Sequence, residues 1–116
     1  MQLDLITRIK EGILVVECSG RIVFGEESIR LRDTIKELIS QNNRIVLNLA
    51  QITYIDSVGL GTLVALYTTA SNGGGAIKLA NLTKRVGDLL QVTKLLTVFE
   101  VFDSEQMAIE SFRKAA

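Results

Sequence analysis

The 116-residue chain contains no histidine, no proline, no tryptophan and a single cysteine, Cys18. Without histidine, a Ser–His–Asp triad cannot be assembled, and one cysteine alone makes a zinc site of the usual His/Cys type very unfavourable. A lone cysteine also forms no disulfide within the chain, which fits a reducing compartment. Because Cys18 stands in an apolar run with no cationic neighbour, we expect a buried, unreactive thiol.

The chain also lacks an excess of either charge and a long apolar run. Lys plus Arg and Asp plus Glu number 13 each, so total charge gives no support to nucleic-acid binding. No apolar run approaches the roughly 20 residues of a membrane helix, and residues 1–5 alternate polar and apolar side chains, unlike a signal peptide. We therefore expect one cytoplasmic domain over residues 1–116, with no membrane and no direct nucleic-acid partner.

Strand-like and helix-like patterns alternate along the chain after an opening β-hairpin. Glycine-containing segments at 10–12 and 73–75 mark a turn and a helix end. The order ββαβαβαβα predicts an α/β fold, with a mixed, mostly parallel sheet of about five strands and about four helices. The predicted strands are 3–9, 13–18 closed by Gly20, 44–49 with 52–55, 76–80 and 98–102. The predicted helices run from Gly25 to about 40–43 and from Ser57 to about Ala70, and two more follow Thr83 and Asp103, which we expect to be their N-caps.

The segment Asp56-Ser57-Val58-Gly59-Leu60-Gly61 joins a buried strand to a helix, where α/β domains commonly place their functional groups. Asp and Ser are ordinary helix N-caps. Two glycines in the first helical turns, however, each cost up to about 1 kcal/mol relative to alanine. Such a conflict between propensity and fold is expected at functional sites, and we expect it to leave bare backbone around Ser57 for a close approach by another molecule.

Enzymatic interpretations of this segment lack the residues they need. A nucleophile elbow requires glycine where the chain has Ile55, and a dinucleotide fingerprint requires a third glycine where it has Val64. A phospho-aspartate receiver requires acidic magnesium ligands where the first strand ends in 9–10, Ile-Lys. Gly73–Gly75 follows a helix and so indicates a helix end better than a phosphate cradle. We expect no cofactor and no metal.

The remaining chemistry is phosphorylation of the Ser57 hydroxyl. A phosphate there would lie at a helix N-terminus, where free N–H groups and the helix dipole favour negative charge. It would add a charge of roughly −1.5 to −2 beside Asp56. If burying that charge in an interface costs about 3 kcal/mol, partner binding weakens about a hundredfold.

Residues 56–61 resemble the Asp-Ser-x-Gly-Leu/Ile-Gly signature of the anti-sigma factor antagonists, which are members of the STAS domain family. The resemblance extends along nearly the whole chain. Gly-Arg-Ile at 20–22 is similar to the family's Gly-x-Leu/Ile, residues 45–49 to the strand before the signature, and residues 74–80 to a Gly-Gly turn and the strand that follows.

The resemblance implies a non-enzymatic regulator that switches partners. In that family the unphosphorylated antagonist binds an anti-sigma factor, which is also an ATP-dependent serine kinase, and so frees a sigma factor for transcription. Phosphorylation of the signature serine, here Ser57, breaks the complex, and a serine phosphatase restores it. The partner-binding residues implied in this way are Asp56, Ser57, Val58, Gly59, Leu60 and Gly61.

One position departs from the family pattern. Many members carry an acidic residue directly after Gly-x-Leu/Ile, where this chain has Val23. Val23 and Phe24 form an apolar pair that belongs either to the core, which we prefer, or to a partner surface. Two other functions stay open: a constitutive STAS scaffold subunit in a transporter or stress-sensing assembly, and an enzyme that uses Ser57.

Overall fold

Five strands form one sheet in the order in which they occur along the chain. The computed structural model describes residues 3–114. Strands β1 and β2 are antiparallel, and β2, β3, β4 and β5 are parallel to one another. The elements are β1 Leu3–Lys10, β2 Ile13–Ile22, α1 Glu26–Gln41, β3 Arg44–Ile55, α2 Ser57–Asn72, β4 Ala76–Ala80, α3 Lys84–Val92, β5 Val101–Phe102 and α4 Glu105–Lys114. The predicted α/β fold, with a mixed sheet and four helices, is confirmed.

The opening hairpin is confirmed, although its second strand is longer than predicted. Glu11 and Gly12 form the turn with positive φ values of 55° and 79°, as a two-residue hairpin turn requires. The prediction that Gly20 closes β2 is wrong, because the strand continues to Ile22. Register shifts flank Gly20, and its φ of 113° is open to glycine, so the strand bends there and does not end.

The sheet buries apolar side chains on both faces, because successive residues of a strand point to opposite sides. Helices α1, α2 and α3 cover one face and α4 covers the other. Cys18 lies inside the first of these cores. Burial raises the pKa of its thiol to about 12, so the expected unreactive cysteine is what the structure shows.

The C-terminal part of the prediction needs two corrections. The last strand covers Val101–Phe102 and not 98–102, because a turn of 3₁₀ helix at Leu95–Thr97 precedes it. Phe99 instead turns into the core, where its ring meets that of Tyr67 edge-on at 5.3 Å.

The cap of the last helix is also one residue later than predicted. The Met107 N–H donates to Ser104 Oγ at 3.2 Å, so Ser104 caps α4. The carbonyl of Asp103 instead accepts from Asn81 Nδ2. Across residues 3–114, no helix has both the length and the apolar content needed to cross a bilayer.

Candidate functional site

The segment singled out in the sequence lies where β2 and β3 end side by side. Ile22 and Ile55 are paired in the last register position of these parallel strands. The Asp56 N–H, one residue further, donates to the Ile22 carbonyl at 3.2 Å. Ser57 is then the first residue of α2. The carboxyl edge of the sheet thus helps to fix the start of α2 through a backbone hydrogen bond.

Asp56 holds two chain segments together. Its Oδ1 accepts from the Gly59 N–H and its Oδ2 from the Phe24 N–H, both at 2.8 Å. Desolvation opposes ionisation of this carboxyl group, but the N–H groups of Gly59, Phe24 and Val58 outweigh it, helped by the charge of Arg21. The pKa of Asp56 is therefore lowered. The predicted capping role is confirmed, and the same carboxylate also anchors the segment before α1.

Those hydrogen bonds correct one expectation about a phosphate on Ser57. The N–H groups of Val58 and Gly59 are directed to the Asp56 carboxylate, and the Leu60 N–H donates to the Asp56 carbonyl at 2.9 Å. The first turn of α2 therefore does not offer these three donors to an anion. A phosphate at this position has to find other partners.

The two glycines of the segment have different roles. A Cβ on Gly59 would lie 2.0 Å from the Ile22 carbonyl oxygen, so only glycine lets α2 approach β2 this closely. A Cβ on Gly61 would meet nothing within 4 Å. The expectation of bare backbone open to a partner therefore applies to Gly61, whereas Gly59 is buried in helix–strand packing.

Five of the six predicted partner-binding residues divide accordingly into an outer and an inner set, and the sixth, Asp56, is partly buried between them. Ser57, Val58 and Gly61 are exposed, with Val58 44% accessible. Leu60 is only 8% accessible and belongs to the core, because α2 turns this side toward the sheet. Gly59 and Leu60 thus shape the site mainly from within.

Two depressions flank Ser57 and Val58. The larger, about 400 Å³, lies between the start of α2 and α3 and is called the α3 groove. The smaller, about 210 Å³, lies between the starts of α1 and α2 and is called the α1 hollow. The α3 groove is lined by Tyr54, Ile55, Asp56, Ser57, Leu60, Arg85, Val86, Asp88, Leu89, Val92 and Thr93. The α1 hollow is lined by Phe24, Gly25, Ser28, Ile29, Arg32, Val58 and Thr62.

The α1 hollow has an apolar rim that the sequence did not place correctly. Phe24 is 75% and Ile29 50% accessible, beside the half-exposed Val58. The preferred core location is wrong for Phe24, because the hydrogen bond from its N–H to Asp56 holds this segment at the start of α2, where its side chain stays exposed. Val23 is partly buried, and its carbonyl accepts from Ser28 Oγ at 2.6 Å. The adjacent apolar residues Val23 and Phe24 were the feature of the sequence that could have predicted this rim.

Arg85 also lies at the site, although it was not among the residues predicted from the sequence. Its guanidinium carbon lies 5.2 Å from the centre of the Tyr54 ring, at the edge of the α3 groove. The neighbouring Lys84 and Asp88 pair with each other at 2.8 Å. No group of His, Cys, Asp and Glu suited to a metal ion occurs within the described part of the chain. The site therefore places the exposed Ser57 between two mainly apolar depressions, with Arg85 at the rim of the α3 groove and Arg32 at the α1 hollow.

Comparison with known proteins identifies the family of the chain. The STAS domain model matches residues 4–108. The anti-sigma-B factor antagonist of Bacillus subtilis is 27% identical over 87% of this chain and 92% of its own length, and the anti-sigma F factor antagonist of Paenibacillus polymyxa is 28% identical over 94% of each. Structures of the anti-sigma factor antagonist SpoIIAA superpose with TM-scores of 0.77 for its unphosphorylated form (20% identity, 97% of this chain, 96% of SpoIIAA) and 0.71 for the phosphorylated Bacillus protein (19%, 95% and 98%). The chain belongs to the STAS domain family.

Proposed function

We propose that this chain is an anti-sigma factor antagonist controlled by phosphorylation of Ser57. In its unmodified form it binds an anti-sigma factor that is also a serine kinase, and that kinase ends the contact by phosphorylating Ser57. A serine phosphatase then restores the binding form. The main support is the exposed hydroxyl of Ser57, which the backbone of β2 and the Asp56 cap hold at the first position of α2.

The chemistry around Ser57 suits an acceptor better than a catalyst. Asp56 is the adjacent carboxylate, and each of its oxygens already accepts from a backbone N–H. The chain has no histidine to take the hydroxyl proton, and a nucleophilic serine needs such a base. We infer that the base for phosphoryl transfer comes from the kinase and that the chain has no catalytic activity of its own.

The surroundings of Ser57 suit a protein partner. Exposed apolar side chains lie on both sides of it, with Phe24, Ile29 and Val58 around the α1 hollow and Tyr54 and Val92 at the α3 groove. Aromatic anchors surrounded by smaller apolar groups are typical of binding hot spots. A doubly charged phosphate placed between them would have to be desolvated whenever the partner binds, which favours release.

The relatives support the same proposal through their own names. Those from Bacillus subtilis and Paenibacillus polymyxa are anti-sigma factor antagonists, and SpoIIAA has been solved with and without phosphate. Through the resemblance of residues 56–61 to the family signature, we assign the signature serine to Ser57.

The test is phosphorylation by the cognate kinase, followed by binding. We expect incubation with the kinase and ATP to add one phosphate, located at Ser57 by peptide mass spectrometry. Ser57→Ala should abolish it, whereas Ser71→Ala, at the exposed far end of the same helix, should not. Ser57→Asp should weaken kinase binding about a hundredfold. Equal binding of Ser57→Asp and the native chain would refute the switch and favour a constitutive scaffold.

A further inference from the structure

Phosphorylated Ser57 carries a new negative charge, and the start of α2 offers it few free donors. The N–H groups of Val58, Gly59 and Leu60 are all directed to Asp56. Asp56 is itself ionised and repels the phosphate. The phosphate therefore faces the α3 groove with a negative neighbour and without these helix donors.

One cation lines that groove. Among the described residues around it, Arg85 is the single lysine or arginine. It is exposed, and no carboxylate of residues 3–114 lies within ion-pair distance of its guanidinium. Its contact is the face of the Tyr54 ring, 5.2 Å away. Asp88, the other charged residue that α3 contributes to the groove, already pairs with Lys84.

We propose that Arg85 is the counter-ion of phosphorylated Ser57, which it reaches by leaving the Tyr54 ring and crossing the α3 groove. This rests on the proposed phosphorylation of Ser57. A guanidinium matches phosphate oxygens with two parallel hydrogen bonds, whereas a cation–π contact at an exposed ring is weak. Because both residues line the same groove, the pair closes it, and the phosphorylated form loses this depression as a partner surface.

Other charged groups on the surrounding elements have to be separated from Arg85 in the test. Arg21, at the end of β2, already acts on the Asp56 carboxylate. Arg32 lines the α1 hollow, on the other side of Val58, and pairs with Asp33 at 3.1 Å. The charged residues that line the two depressions are Arg32, Asp56, Arg85 and Asp88, with Lys84 paired to Asp88 and with Glu26 and Glu27 in the first turn of α1.

The decisive experiment titrates the phosphate itself. Phosphoserine is incorporated at position 57 during translation, so that no kinase is needed, and its ³¹P resonance is followed from pH 4 to 8. A free phosphoserine has its second pKa near 6. A guanidinium partner stabilises the dianion, so Arg85→Gln should move the midpoint up by roughly half a pH unit. Arg85→Lys should restore part of that change.

Arg44→Gln is the matched control, because it removes the same charge from an exposed residue at the opposite end of β3, about 35 Å away. It should leave the midpoint unchanged. An Arg85→Gln midpoint equal to that of Arg44→Gln would refute the assignment, and so would a larger change with Arg21→Gln. Kinase binding separates the two proposals. If phosphorylation still releases the kinase while Arg85→Gln leaves the midpoint unchanged, the phosphorylation switch is supported and the assignment of Arg85 as counter-ion is refuted. If the phosphorylated chain binds the kinase as tightly as the unphosphorylated chain, the switch itself is refuted.

Discussion

Replacing Gly59 by alanine tests whether the close contact between α2 and β2 fixes the site. The added Cβ would lie 2.0 Å from the Ile22 carbonyl oxygen and 2.7 Å from the carbonyl carbon. These are backbone atoms of a paired strand, so they cannot turn away as a side chain could. Helix α2 would have to shift outward, and Ser57 and the Asp56 cap would shift with it.

The expected loss of stability follows from two opposing terms. Overpacking against rigid atoms costs about 3 kcal/mol, the upper part of the usual range. Alanine gains up to about 1 kcal/mol over glycine inside a helix. The free energy of unfolding of Gly59→Ala should therefore fall by about 2 kcal/mol, which lowers the melting temperature by about 8 °C in a domain of this size.

Gly61→Ala is the matched control in the same helix. Its Cβ would meet nothing within 4 Å, so only the helix-propensity gain applies and stability should rise by about 0.5–1 kcal/mol. Urea and thermal unfolding of both variants measure the two effects. If Gly59→Ala proved as stable as Gly61→Ala, the close contact would not govern the position of α2 and the reasoning would be wrong.

Three further predictions concern side chains around the site and the core. Asp56→Asn should cost about 1 kcal/mol at pH 7, because an amide cannot accept from both N–H groups. Since the folded-state pKa of Asp56 is lowered, the stabilisation by its carboxylate is present above the unfolded-state pKa and is lost as pH falls through the folded-state pKa. The difference in unfolding free energy between the native chain and the variant, measured in urea, should therefore become smaller in acid. Phe24→Ser should weaken kinase binding at least tenfold in calorimetry while stability changes by less than about 0.5 kcal/mol, whereas Ile9→Ser, equally exposed on β1, should leave binding unchanged. Cys18 should resist a thiol reagent at pH 8 in the folded chain and react fully in urea, and rapid labelling without denaturant would contradict its burial.

Much of the fold could be predicted from the sequence because its signals are local. The run of β-branched and other apolar residues along 13–18 and the caps at Asp56 and Thr83 act over a few residues, and each appears in the structure. The helix starting at Ser57 was predicted for the same reason. The short β5 and the Ser104 cap were missed, since Val98 and Phe99 have strand propensity, but the burial of Phe99 beside Tyr67 overrides it.

The sequence was enough to predict the segment at the centre of the candidate site, but not the residues from other segments that surround it. Residues 56–61 stand out by composition, yet the role of Gly59 depends on Ile22, far away in the sequence. The exposure of Phe24 depends on its hydrogen bond to Asp56, and the position of Arg85 depends on how α3 packs beside β3. Contacts between distant segments leave no pattern in either segment alone.

The carbonyl of Ile22 and the carboxylate of Asp56 hold the turn at Ser57 in place, and neither contact involves the side chain of residue 24. Ile22 sets how closely α2 approaches β2, and Asp56 ties the turn that carries the Ser57 hydroxyl to the peptide N–H of Phe24. That hydrogen bond uses the backbone of residue 24 and ignores its side chain. Related chains in one cell could thus vary position 24, and with it the kinase they recognise, while the acceptor hydroxyl stays in place. Insulation between parallel signalling routes would then need no more than a change of one exposed ring.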